Sequence, residues 1–127
     1  MGYRINTPWF AGHYGLIGGS VEEKKSGTEA LMREIQEETG ITVNSKDVEF
    51  AHVIDFLGVD DAPCVAFFYF VKTWQGDVNN SEKNKHDHLK WFPIDKLPEN
   101  MIPRHKKAIE LNAKRIFYSE DNWQNRP

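Results

Sequence analysis

Cysteine is nearly absent from this chain: Cys64 is the only one in 127 residues. That excludes an internal disulfide and points to a reducing compartment, the cytoplasm. Long apolar runs are missing too, since the longest, Cys64 to Val71, falls far short of the ~20 residues that span a bilayer. Positive charge is not in excess. Sixteen Lys and Arg against nineteen Asp and Glu give a net charge of −3, without the basic footprint that nucleic-acid binding requires. No basic stretch followed by an apolar one opens the chain as a signal peptide does. No repeat, low-complexity tract or linker divides it, so residues 1–127 are expected to form a single domain.

What is present suits a folded α/β domain: 39% apolar, 13% aromatic and 28% charged residues. A short extended piece is expected from His13 to Ile17, and a helix from about Thr28 to Thr39. Ser26 and Glu29 have the spacing of a capping box, and Gly40 suits the left-handed position that ends a helix. Leu31 and Ile35 should face the core, with Glu34, Glu37 and Glu38 turned away. Alternation from Val48 to Phe56 predicts a half-buried strand carrying His52, with its ring satisfied by a partner. Cys64 to Val71 is apolar on both parities, as in a central strand covered on both faces, where the thiol would be a buried, inert group. Gly58 to Pro63 should turn between the two, making them antiparallel. A short strand is expected from Leu89 to Phe92. A second helix should run from Pro103 to Tyr118, with Ile102, Ile109, Ala113 and Ile116 as its stripe. Strands between a first and a last helix give a three-layer α/β/α sandwich.

The most informative segment is residues 18–41, where Gly18-Gly19 precedes Arg33-Glu34-Ile35-Gln36-Glu37-Glu38-Thr39-Gly40-Ile41. Three carboxylates within one helical turn repel, by a few tenths of a kcal/mol per pair. A hard divalent cation reverses that sign, because it takes carboxylate oxygens as ligands. A glutamate-rich helix face is otherwise ordinary solvated surface. The full spacing decides between the two. It resembles the Nudix box, GX5EX7REUXEEXGU with U aliphatic. Gly19, Arg33, Glu34, Ile35, Glu37, Glu38, Gly40 and Ile41 fill eight of its nine specified positions, and chance agreement in one window is on the order of 10⁻⁸.

Resemblance to Nudix hydrolases implies a mixed-sheet sandwich and Mg²⁺, with Mn²⁺ as a substitute. Glu34 and Glu38 would be the principal metal ligands, Glu37 would share or bridge, and the Gly18 carbonyl would be a further ligand. Arg33 would orient the glutamates. One box position departs: Lys25 stands where the pattern has glutamate, and Lys24 where glycine is frequent. Either an outer support of the metal cluster is lost, commonly a 10–100-fold effect, or Lys25 reaches a substrate phosphate, or it is a solvated loop lysine.

Trp74-Gln75-Gly76 and the loop that follows resemble the second half of small nucleotide-hydrolysing members. Glu82 matches a glutamate used there as an extra metal ligand or general base. His86, Asp87 and His88 read as a mobile loop over the site, because two histidines lack the further ligands zinc needs. Trp9, Phe10 and Tyr14 either stack on a nucleobase or pack at the rim of the core. Related domains carry on the order of 20 more residues before the stretch matching Ile5 to Phe10. The first strand is therefore expected to be missing, either trimmed or replaced by a partner such as a second copy of the chain.

The reading is a hydrolase that cuts a pyrophosphate bond in a nucleoside diphosphate linked to another group, with nucleoside or deoxynucleoside triphosphates favoured. Neither nucleic acid nor a membrane is an expected partner. The alternative is a catalytically impaired Nudix-fold module that binds or senses nucleotides.

Overall fold

The computed structural model describes residues 1–123. Strands β1 (Gly2–Arg4) and β2 (Tyr14–Gly15) lead into helix α1 (Gly27–Thr39). Strands β3 (Val48–Leu57), β4 (Pro63–Val71) and β5 (His86–Leu89) follow, then helix α2 (Pro103–Ala113) and strand β6 (Tyr118–Asp121). One antiparallel sheet has the order β2-β1-β5, and a mixed sheet has the order β4-β3-β6. β3 pairs antiparallel with β4 and parallel with β6.

Helix α1 begins where Ser26 Oγ accepts the Glu29 N–H at 3.1 Å. It ends at Gly40, whose φ of 77° is left-handed and whose N–H returns to the Gln36 carbonyl, as the capping residues predict. Its apolar side joins Ile35, Ile41 and Val43 in a core that also packs Leu31, Val48 and Val71. On the other side, Phe68 meets His105 of α2 edge to face. Val71 and Phe68 have opposite parity along β4, so the two helices cover opposite faces of the mixed sheet. The three-layer sandwich follows. Its centre is β3, where Ile54 and His52 are fully buried. His52 is satisfied as expected, with Nδ1 at 2.8 Å from the Ile116 carbonyl and Nε2 at 2.8 Å from Ser119 Oγ.

Several expectations need correction. β4 is an edge strand of its sheet, and Val65 and Phe67 are each 53% exposed. α1 covers only the Tyr69–Val71 end of that face, where a Cβ on Gly27 would meet the Tyr69 hydroxyl. Cys64 is accordingly half-buried, not enclosed. α2 stops at Ala113, because Arg115 turns left-handed at φ 61° and the chain reverses to lay β6 beside β3. Ile116 is consequently exposed. His86 to His88 form β5 instead of a loop, held by pairing with β1, while Trp91 and Phe92 lie beyond the strand.

Candidate active site

Helix α1 points its acidic residues in two directions. Glu34 and Glu38, one turn apart, lie on the buried stripe with Ala30 and Ile35 and are only 9% and 5% exposed. Glu37 is exposed. The expectation that all three turn away from the core is therefore wrong for two of them. Burial first, then repulsion from Glu38, pushes the Glu34 carboxyl above its ordinary value, with Glu37 adding to the rise and Arg33 and Lys85 opposing it.

The glycine pair closes over these carboxylates. The Gly18 N–H donates to Glu38 Oε2 at 3.1 Å. A Cβ on Gly19 would lie 2.5 Å from the Glu34 carboxyl, so any side chain there would push that carboxyl from its place, and glycine lets the two pack together. Nothing lies within 4 Å of the corresponding point on Gly18, which leaves that side of the loop open to an incoming group. Arg33 gathers the outer carboxylates, with Nη2 at 3.0 Å from Glu34 Oε1 and Nη1 at 3.3 Å from Glu37 Oε1.

Glu82 arrives from a different part of the chain. The Asn79 and Ser81 N–H groups donate to the last carbonyls of α1, those of Thr39 and Glu38, satisfying acceptors that a helix end leaves free. That docking brings in Lys85, whose Nζ is 2.8 Å from Glu82 Oε2. The hydrogen bond to Glu82 first, then the charges of Glu82, Glu38 and Glu34, hold the Lys85 ammonium above its usual range. Glu82 thus pairs directly with a lysine whose charge the Glu34–Glu38 pair also feels.

Lys25 and Tyr14 are not brought to this cluster. Lys25 is exposed, and its backbone N–H closes a turn onto Glu22. The Tyr14 hydroxyl is 2.7 Å from His88 Nε2, and its ring packs against Tyr3, His88 and Phe92. Trp9 and Phe10 line a separate cavity of about 450 Å³ with Pro103, Arg104 and Asp121. That cavity shares no residue with the carboxylates, and the chemistry argues for the carboxylate cluster as the active site.

Two residues escaped sequence reasoning. Lys85 lies in a lysine-rich stretch with no motif to single it out, and its docking onto Glu82 is set by the fold. Glu22 lies 3.4 Å from Arg33 Nη2, giving Arg33 an outer acidic partner although Lys25 occupies the box position. The signal for Glu22 was its acidity just ahead of that departure.

Among the described residues, no three His, Cys, Asp or Glu side chains converge closely enough to hold a metal by themselves. The two buried carboxylates nevertheless fit a hard divalent cation. Such an ion takes one or two carboxylates and completes its shell with water and substrate phosphates, without needing a full protein cage.

A helix that buries two glutamates under a glycine turn, within an α/β sandwich, defines an acidic site of the kind that handles phosphates through cations. The NUDIX domain family matches residues 4–111. The structure is similar to the crystal structure of a MutT NUDIX hydrolase from Burkholderia pseudomallei. The identity is 30% and the TM-score 0.75, covering 86% of this chain and 83% of that one. No curated protein matches the sequence. The chain belongs to the Nudix family and is a Nudix hydrolase. In general terms its activity is hydrolysis of a pyrophosphate bond in a nucleoside diphosphate joined to another group, in a family that generally uses divalent metals.

Proposed function

We propose that this hydrolase uses Mg²⁺, or Mn²⁺ in its place, to cleave nucleoside or deoxynucleoside triphosphates. One observation carries the proposal: Glu34 and Glu38 sit buried one turn apart beneath Gly18 and Gly19. Glu34, Glu38 and the Gly18 carbonyl would hold the ion, with Glu37 and Glu82 as further ligands. When bound, the ion neutralises and orients the diphosphate and lowers the pKa of its water.

The chain's own groups do the rest. Arg33, shared among Glu22, Glu34 and Glu37, fixes where the carboxylates point. Glu82, steered by Lys85, takes the proton of the attacking water as the new P–O bond forms and the phosphate or pyrophosphate leaves. Lys25, unconstrained on its turn, is free to reach a substrate phosphate as a point charge. Tyr14 sits in an aromatic cluster that offers one edge of a base site. The free thiol of Cys64 suits the cytoplasm. No helix among the described residues is long and apolar enough to cross a membrane.

The test is a panel of nucleotides and nucleotide sugars with Mg²⁺, scored for phosphate or pyrophosphate release, with Glu38→Gln beside it. Release from triphosphates, abolished in Glu38→Gln, is the expected result. Tight nucleotide binding with no release from any compound would overturn the proposal and favour a sensor module. Equal activity in Glu38→Gln would remove the assigned ligands.

A further inference from the structure

His86 is 4% exposed, and neither of its ring nitrogens has a hydrogen-bond partner. Buried polar groups are almost always paired, so this orphan calls for an explanation. The backbone holds the ring firmly. The His86 N–H donates to the Glu82 carbonyl at 3.1 Å, and its carbonyl accepts from Asn80 Nδ2 at 2.7 Å. Nδ1 abuts Gly2 of β1, where any Cβ would collide with the ring. Nε2 faces the opposite way, 3.5 Å from Glu38 Oε1. That is too far for a good hydrogen bond, yet nearer than a water molecule would need to fit between them. The other Glu38 oxygen already accepts from Gly18.

We propose that His86 is a positioning residue for Glu38. In that role its Nε2–H would close onto Oε1, so that Gly18 holds one oxygen and His86 the other while the carboxylate stays free to ligate a divalent ion. The inference rests on Glu38 being a metal ligand, as proposed above. Gly2 is what makes room for the ring, so β1 contributes to the site without touching it. Partners that orient a ligating carboxylate from behind commonly alter metal affinity 10–100-fold.

The experiment follows Mn²⁺ binding by electron paramagnetic resonance without nucleotide, in the unaltered protein, His86→Leu, His86→Gln and Glu38→Gln. His86→Leu should weaken binding 10–100-fold, and His86→Gln, which keeps an N–H near the Nε2 position, should recover most of it. A purely structural role would not separate Leu from Gln in this way. Mg²⁺ titration of the unaltered protein, followed by ¹⁵N resonances of the imidazole, should shift Nε2 and bring its proton into slow exchange. If Glu38→Gln loses Mn²⁺ but His86→Leu keeps it, the positioning role is wrong while the ligand assignment stands. If Glu38→Gln binds Mn²⁺ undiminished, both fall. Should His86→Leu fail to fold, the Mg²⁺ titration decides alone, and an unmoved Nε2 resonance overturns the proposal.

Discussion

Glu34 is held at a cost in the metal-free protein. Burial and Glu38 raise its carboxyl above the ordinary value despite Arg33 and Lys85. A carboxyl whose folded value is raised stabilises the fold below its unfolded value and loses that contribution as pH rises through the folded one. Ionising Glu34 therefore strains the apo fold. Glu34→Gln should stabilise the metal-free protein by about 1 kcal/mol, a few tenths from relieved repulsion and the rest from easier burial, read as a higher denaturant midpoint. Turnover should fall by at least about 100-fold, the upper end of what losing an outer metal partner costs. A destabilised Glu34→Gln with full activity would contradict both halves. The carboxylates themselves were legible in the sequence, because their spacing is fixed by one helix turn and one box. Their direction was not. Amphipathic reasoning sends charge to solvent, and only the loop of Gly18 and Gly19 packed over α1 reveals that Glu34 and Glu38 point inward. Lys85 and His86 reach the site by contacts across the fold, which no local pattern announces.

Helix α1 is the element on which the site is built, and its ends set how well it is built. Ser26→Ala removes the acceptor of the Glu29 N–H, which should cost about 1 kcal/mol of stability, measured as a fall in the urea midpoint with an unchanged slope. The turn leading into it carries an avoidable cost. Lys24 sits at φ 65°, a left-handed conformation that disfavours a side-chain-bearing residue by about 1–2 kcal/mol. Lys24→Gly should raise the melting temperature, with a net gain of about 0.5–1 kcal/mol after the greater freedom of glycine in the unfolded chain is subtracted. A lowered melting temperature would show that the lysine side chain supports the turn. α1 was legible to within a residue because its caps are local chemistry. β4 was misjudged because an apolar run on both parities looks alike in a covered centre and at an open edge. α2 was overextended because the helical stripe continues to Ile116, and what stops it is the left-handed Arg115 and the pull of β6 onto β3.

Across the whole molecule, the glycine loop is tied to the far helix by one histidine. His105 of α2 accepts the Leu16 N–H on Nδ1 at 3.0 Å, two residues before the glycine that holds Glu38. Burial, with smaller contributions from Arg4 and Arg104, lowers its pKa to about 4. Nδ1 is bare in that bond, so the folded protein keeps the imidazole neutral, while the unfolded chain takes up a proton near pH 6.5. Between those two values the unfolded state binds more protons, and stability must rise with pH. The contribution is whole above pH 6.5 and is lost as pH falls toward about 4, at up to about 1.4 kcal/mol per unit. Glu34 works in the opposite sense, regaining stability as acid neutralises its raised carboxyl, so the net slope measured on the intact protein understates His105. Urea midpoints taken from pH 7 to pH 4 should therefore fall for the unaltered chain and fall more steeply for Glu34→Gln. For His105→Asn, which keeps an acceptor for Leu16 but cannot titrate, the decline should flatten. The same protonation would break the Leu16 bond and free the loop that carries Gly18. Acid should accordingly weaken Mn²⁺ binding less in His105→Asn than in the unaltered protein. Parallel pH profiles for the two would show that α2 and the glycine loop are not coupled through this ring.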